Sequence, residues 1–115
     1  MKYLIQVRFN GADAVIRGLP DHEQNKITAE FQAVRTLSGV LDGNQLEPPG
    51  TAKTIHVNDG QTLVNDGPAV DDGAAIDGYY ILEGPDLETA IGFAARIPVA
   101  RMGGTVEVRA LMERQ

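Results

Sequence analysis

Two Asx-Gly turns seven residues apart constrain this chain more than any other feature. They are Asn58-Asp59-Gly60 and Asn65-Asp66-Gly67, the second closed by Pro68. Glycine takes the positive φ that tight hairpin turns need, and proline withholds a backbone donor, so each turn halts a strand abruptly. Between them lies Gln61-Thr62-Leu63-Val64, long enough for one short strand. Before them Thr51 to Val57 alternates, with Ile55 and Val57 on one side and Thr54 and His56 on the other. The pattern predicts a hairpin turning at Asp59-Gly60, with Asp66 held at the far strand end.

The rest of the chain follows by periodicity. Tyr3, Ile5, Val7 and Phe9 alternate with Leu4, Gln6 and Arg8, a strand with one apolar and one mixed face. Asn10-Gly11 ends it, and a loop is expected to about Leu19. Pro20 with Asp21 and Glu23 opens a helix, and Ile27, Phe31, Val34 and Leu37 carry its stripe to about Ser38. Val40 to Gly50 reads as connection, because Pro48-Pro49-Gly50 forbids helix. Asp66 to Asp77 reads as loop and Gly78 to Glu83 as an apolar strand. Asp86 caps a second helix with Leu87, Ala90, Ile91, Ala94 and Ile97 as its stripe, stopped at Pro98. Gly92 inside that helix costs about 1 kcal/mol relative to alanine, which points to a close backbone approach there. Thr105 to Leu111 alternates again, with Val106, Val108 and Ala110 inward.

The order is strand, helix, hairpin, strand, helix, strand. A strand–helix–strand unit occurring twice with helices on one face is a ferredoxin-like α+β plan, here with the hairpin elaborating its second strand. With 115 residues the chain forms one domain, residues 1–115. Both stripes are narrow and cover one face only. The other face carries Leu4, Gln6, Arg8, Glu107 and Arg109, too apolar to be freely solvated and too charged for a core. Two such faces stacked in a homodimer would enclose a partly polar cavity.

Composition removes several classes of function. Without cysteine there is no disulfide, thiolate nucleophile or cysteine-ligated metal, which fits a reducing cytoplasm. A net charge of −6 disfavours nucleic acid as a partner. The apolar run Met1 to Phe9 is too short and too charged for a signal peptide or a membrane span. The carboxylates Asp59, Asp66, Asp71, Asp72 and Asp77 lack the alternating spacing and distant Glu of a calcium loop, and turn chemistry accounts for them. No metal or cofactor is therefore expected, and no phosphate-binding glycine fingerprint is present.

The ordered set Met1-Lys2-Tyr3-Leu4-Ile5, Leu46-Glu47-Pro48-Pro49, Asp59-Gly60, Val64-Asn65-Asp66-Gly67-Pro68, Gly78-Tyr79-Tyr80 and Gly103-Gly104-Thr105-Val106-Glu107-Val108-Arg109 resembles the YCII-related family, and within it the branch named for its DGPF motif. The resemblance spans nearly the whole chain. It implies a ferredoxin-like domain that dimerises as an α+β barrel. It further implies relatives that use a His–Asp pair as acid and base or act on hydroxylated aromatics, and branch members associated with extracytoplasmic-function sigma factors. Two departures weigh against an enzyme. Ala69 stands where the branch has Phe, with the following acidic stretch shortened to Val70-Asp71-Asp72-Gly73. The first helix reads Ile27-Thr28-Ala29-Glu30, with no histidine.

The candidate catalytic residues are Asp66 and His56, a carboxylate and an imidazole on neighbouring strands able to serve as general base if they meet. His22, in a helix's first turn, reads as neutral and exposed. The candidate ligand-binding residues are Arg8, Tyr79, Arg101 and Arg109, which supply charge-assisted donors and one hydroxyl. Arg101 leads into Gly103-Gly104, whose backbone N–H groups are expected to be accessible. Three functions follow as expectations: a homodimeric small-molecule-binding protein with its cleft near Asp66, a small isomerase or lyase acting on an aromatic or oxo acid, and an accessory partner of a sigma factor.

Overall fold

Strand β1 (Lys2–Arg8) shows the expected alternation: Tyr3, Ile5 and Val7 are buried, while Leu4, Gln6 and Arg8 are half-buried on the opposite face. The structure, a computed structural model, describes residues 1–9, 12–70 and 75–113. The Asn10-Gly11 turn and the carboxylates Asp71 and Asp72 lie outside the described residues.

A short helix α1 (Ala12–Arg17) occupies part of the segment expected to be loop. It is under two turns long, too short for a periodic stripe to announce it. The Gln24 amide donates to the carbonyls of Arg17 (3.1 Å) and Leu19 (2.7 Å), satisfying acceptors left open beyond its last turn. Helix α2 (Asp21–Arg35) begins after Pro20 as expected and ends before Ser38, where the Thr36 hydroxyl donates to the Ala33 carbonyl. Ile27 and Val34 are buried, and Phe31 and Leu37 pack half-buried at the edge of the core.

The segment read as connection contains strand β2 (Val40–Gln45), which pairs antiparallel with β5. Asp42-Gly43-Asn44 has turn composition, and that hid the strand. The hairpin β3 (Lys53–Asn58) and β4 (Gln61–Asp66) turns at Asp59 (φ 49°) and Gly60 (φ 77°), positive at both centres as a primed turn requires. It does not elaborate the second strand of the main sheet. It is a separate two-stranded sheet inserted between β2 and β5. Its strand residues are exposed apart from half-buried Thr54.

Strand β5 (Ile76–Glu83) starts earlier than expected and runs through the sheet interior, with a bulge at Asp77 where Val7 pairs Gly78 and Arg8 pairs Ile76. Helix α3 (Leu87–Ala95) is capped by Asp86, whose Oδ1 accepts from the Thr89 backbone N–H (2.8 Å) and hydroxyl (2.6 Å). Ala90, Phe93, Ala94 and Ile97 are buried, but Ile91, expected in the stripe, is 52% exposed. No atom beyond the helix lies within 4 Å of where a Gly92 β-carbon would stand, so the expected close approach is absent. A 3₁₀ turn (Pro98–Arg101) then leads to β6 (Thr105–Ala110). The Gly104 N–H is not open, because it donates to the Val99 carbonyl.

The four-stranded sheet has the order β2-β5-β1-β6, antiparallel throughout. That is the ferredoxin-like arrangement, with β2 as its second strand. The core lies between this sheet and the helices, built from the inward residues of β1 and β5 with Val34, Phe93, Ile97 and Val99. Tyr80 and Phe93 meet edge to face, with centroids 5.5 Å apart.

Candidate functional site

The two inward positions of the β2–β5 edge nearest α2 are glycines. Gly43 of β2 lies opposite Tyr80, and Gly78 of β5 lies between Val7 and Gln45. The Tyr80 ring lies over Gly43, and both glycines line a cleft of about 310 Å³ beneath α2. Its apolar walls are Val7, Ile27, Phe31 and the Tyr80 ring. Its polar edge is supplied by Thr28, Gln32 and Arg35, spaced along one side of α2.

The Tyr80 ring is buried, while its hydroxyl keeps access to solvent at the cleft and makes no hydrogen bond among the described residues. Burial pushes its pKa above the usual value, and the nearby Arg35 guanidinium pulls in the opposite direction. Arg35 makes no ion pair among the described residues.

A second, wider depression of about 650 Å³ lies at the base of the hairpin. Pro48, Pro49, Pro68, Ala69 and Val70 form its walls, and Arg8 reaches it from the end of β1. Arg8 also donates to the Gln6 side-chain oxygen at 3.4 Å. Asp66, two residues before Pro68, has its side chain 84% exposed and accepts from Lys53 Nζ at 2.5 Å. An ion pair this exposed contributes little to stability.

The register separates the candidate base pair. His56 faces Leu63, and Asp66 faces Lys53. Three rungs of an antiparallel ladder are about 10 Å, and an odd offset puts the two side chains on opposite faces of the hairpin. The ligand-binding candidates are also dispersed. Arg8 lines the hairpin-base depression. The Tyr79 hydroxyl donates to Asp42 Oδ2 (2.9 Å) and accepts from the Asn44 amide (2.9 Å). Arg101 pairs with Glu30 of α2. Arg109 is exposed on β6, opposite Leu4. Among the described residues, no three His, Asp or Glu side chains gather as a metal site.

A family model described as the YCII-related domain matches residues 1–115, the whole sequence. The chain belongs to the YCII-related family. None of the functionally curated proteins matches it. Among solved structures, this YCII-related chain is similar to 5-chloro-2-hydroxyhydroquinone dehydrochlorinase from Burkholderia phenoliruptrix, solved in complex with 2,5-dihydroxybenzoquinone. The TM-score is 0.52 at 14% identity, covering 99% of this chain and 96% of that one. At that identity the likeness is one of fold.

Tyr80, Arg35, Gln32 and Thr28, which line the cleft of this YCII-related protein, are not among the candidates that the sequence singles out. One signal was available. Thr28, Gln32 and Arg35 follow the apolar stripe of α2 at near-helical spacing, so they border its buried face instead of opposing it. The two glycines that line the cleft give none, because they come together only through the β2–β5 pairing.

Proposed function

We propose that this protein binds a small organic molecule in the cleft between α2 and the β2–β5 edge, and that it does so as a homodimer. The observation that carries the reading is the cleft itself, an apolar hollow on which the Tyr80 hydroxyl and the Arg35 guanidinium converge without a hydrogen-bond or ion-pair partner among the described residues. Ligand sites are mostly apolar concavities with a few placed polar groups, and about 300 Å³ is the small end of their range. The dehydrochlorinase with the similar fold is held with a compact ring-shaped ligand, which agrees with a ligand of that size. The homodimer reading rests on the sheet face opposite the core, where Leu4 and Ile81 lie half-buried among polar side chains with no helix packed on them among the described residues. It also rests on the hairpin, whose Ile55, Val57 and Val64 side chains share one open face. A two-stranded hairpin is marginal alone in water, and a second copy would support it.

A second reading keeps the ligand near Asp66, in the hairpin-base depression. Arg8 and the Pro68-Ala69-Val70 wall favour it. There Asp66 would serve as base in an isomerase- or lyase-like reaction, with His56 reaching the site from the other protomer. Soaking crystals with small phenols and aromatic acids tests both readings, since ordered density beside Tyr80 supports the first and density beside Pro68 and Arg8 supports the second.

A further inference from the structure

The polar groups around the helix–sheet cleft are unequal in sign. Arg35 offers a planar fork of N–H donors, Tyr80 and Thr28 offer hydroxyls, and Gln32 offers an amide. None of these four is engaged in a hydrogen bond or ion pair among the described residues. Asp77 is the one carboxylate in the lining among the described residues, and it already has a partner of its own. It sits at the β5 bulge, whereas Arg35 is on α2 close enough to Tyr80 to influence its ionisation.

The apolar part of the cleft faces this donor set. Phe31 and Ile27 close it from the helix, and Val7 closes it from the sheet. Gly43 and Gly78 carry no side chain and the Tyr80 ring lies over Gly43, so the wall there is ring and backbone instead of branched side chain. A planar body fits between these surfaces, and its charged end meets the donors.

We infer that the cleft selects a small carboxylic acid with a planar apolar body, aromatic or α,β-unsaturated, whose carboxylate is held by Arg35 and the Tyr80 hydroxyl. The inference rests on the cleft reading above and adds the ligand's charge. Guanidinium matches carboxylate geometry through two parallel N–H···O bonds, which a phenol or an amide cannot reproduce. A cation near a helix C-terminus is favourable in any protein, so the position of Arg35 is not itself evidence. What carries the inference is its convergence on one cavity with the Tyr80 hydroxyl, which makes no hydrogen bond among the described residues.

The test is an amide-resolved NMR titration of the ¹⁵N-labelled protein at neutral pH with sodium benzoate, benzamide and phenol. Benzoate is expected to shift the Gly43, Gly78 and Gln32 amides and to bind about tenfold or more tighter than the two neutral probes, the loss expected when one charge-assisted contact is removed. Arg35→Gln is expected to lower benzoate affinity to the benzamide level and to leave benzamide unchanged. Arg35→Lys is expected to recover part of it. Because Arg35 is exposed, these variants keep the fold. Equal binding of benzoate and benzamide at the cleft amides, or benzoate binding unaffected by Arg35→Gln, overturns the inference while leaving the cleft reading in place. No shift at the cleft amides with any probe removes both.

Discussion

The ring of Tyr80 lies across Gly43: its Cδ1 is 2.6 Å from the point where a β-carbon on Gly43 would stand. The contact joins the core to the edge strand, because the same ring meets Phe93 of α3 edge to face. Gly43→Ala therefore forces the ring to move or β2 to part from β5. The expected cost is about 1–3 kcal/mol, the range for overpacking a core. For a domain of this size that lowers Tm by about 4–8 °C per kcal/mol. Calorimetry on the variant checks it, and an unchanged Tm would mean that the ring does not occupy this position.

Tyr80 should make stability fall at alkaline pH. Its pKa is raised in the folded state, so its contribution is fully present below the unfolded value near 10 and is lost as pH rises through the folded value. Tyr80→Phe should flatten that slope. In a spectrophotometric titration, Tyr80 should ionise above the usual tyrosine value. Arg35→Gln should delay it further, because the guanidinium is what opposes the effect of burial.

Asp86 makes the opposite prediction. Its hydrogen bonds from the Thr89 hydroxyl and backbone N–H lower its pKa, so its contribution is present above the unfolded carboxylate pKa and is lost as pH falls through the folded value. Asp86→Ala should lower Tm at pH 7, and the gap to the parent protein should narrow in acid. Asp86→Asn should keep most of the cap at neutral pH.

Arg101 should matter for packing and not for ligand. It pairs with Glu30, joining the turn before β6 to α2. Arg101→Ala is expected to shift stability by at most about 1 kcal/mol, as partly exposed ion pairs do. Benzoate affinity should stay unchanged. A tenfold loss of affinity would place Arg101 at the ligand after all.

The sequence revealed those elements whose side chains alternate or recur with a clear buried face. Tyr3, Ile5 and Val7 announced β1, and Asp59-Gly60 announced the hairpin with its turn conformation. It did not reveal β2, because a strand containing Asp42, Gly43 and Asn44 owes its existence to pairing with β5 and to the Tyr80 ring, both distant in sequence. The site was less legible for the same reason. Asp66 drew attention through its turn chemistry, which is local. The cleft depends on Gly43, Gly78 and Arg35, three residues that converge only when β2 pairs with β5 beneath α2. Tyr79, the ligand candidate from sequence, lies on the opposite face of β5 from Tyr80, with its hydroxyl bonded to Asp42 and Asn44.

The most direct measurement of the central claim is a crystal structure of the protein soaked with benzoate and a small phenol. The account predicts ordered density between α2 and the β2–β5 edge, in hydrogen-bond contact with the Tyr80 hydroxyl. A dry, collapsed cleft with that hydroxyl bonded to a protein side chain would contradict it, as would density confined to the depression beside Pro68 and Arg8.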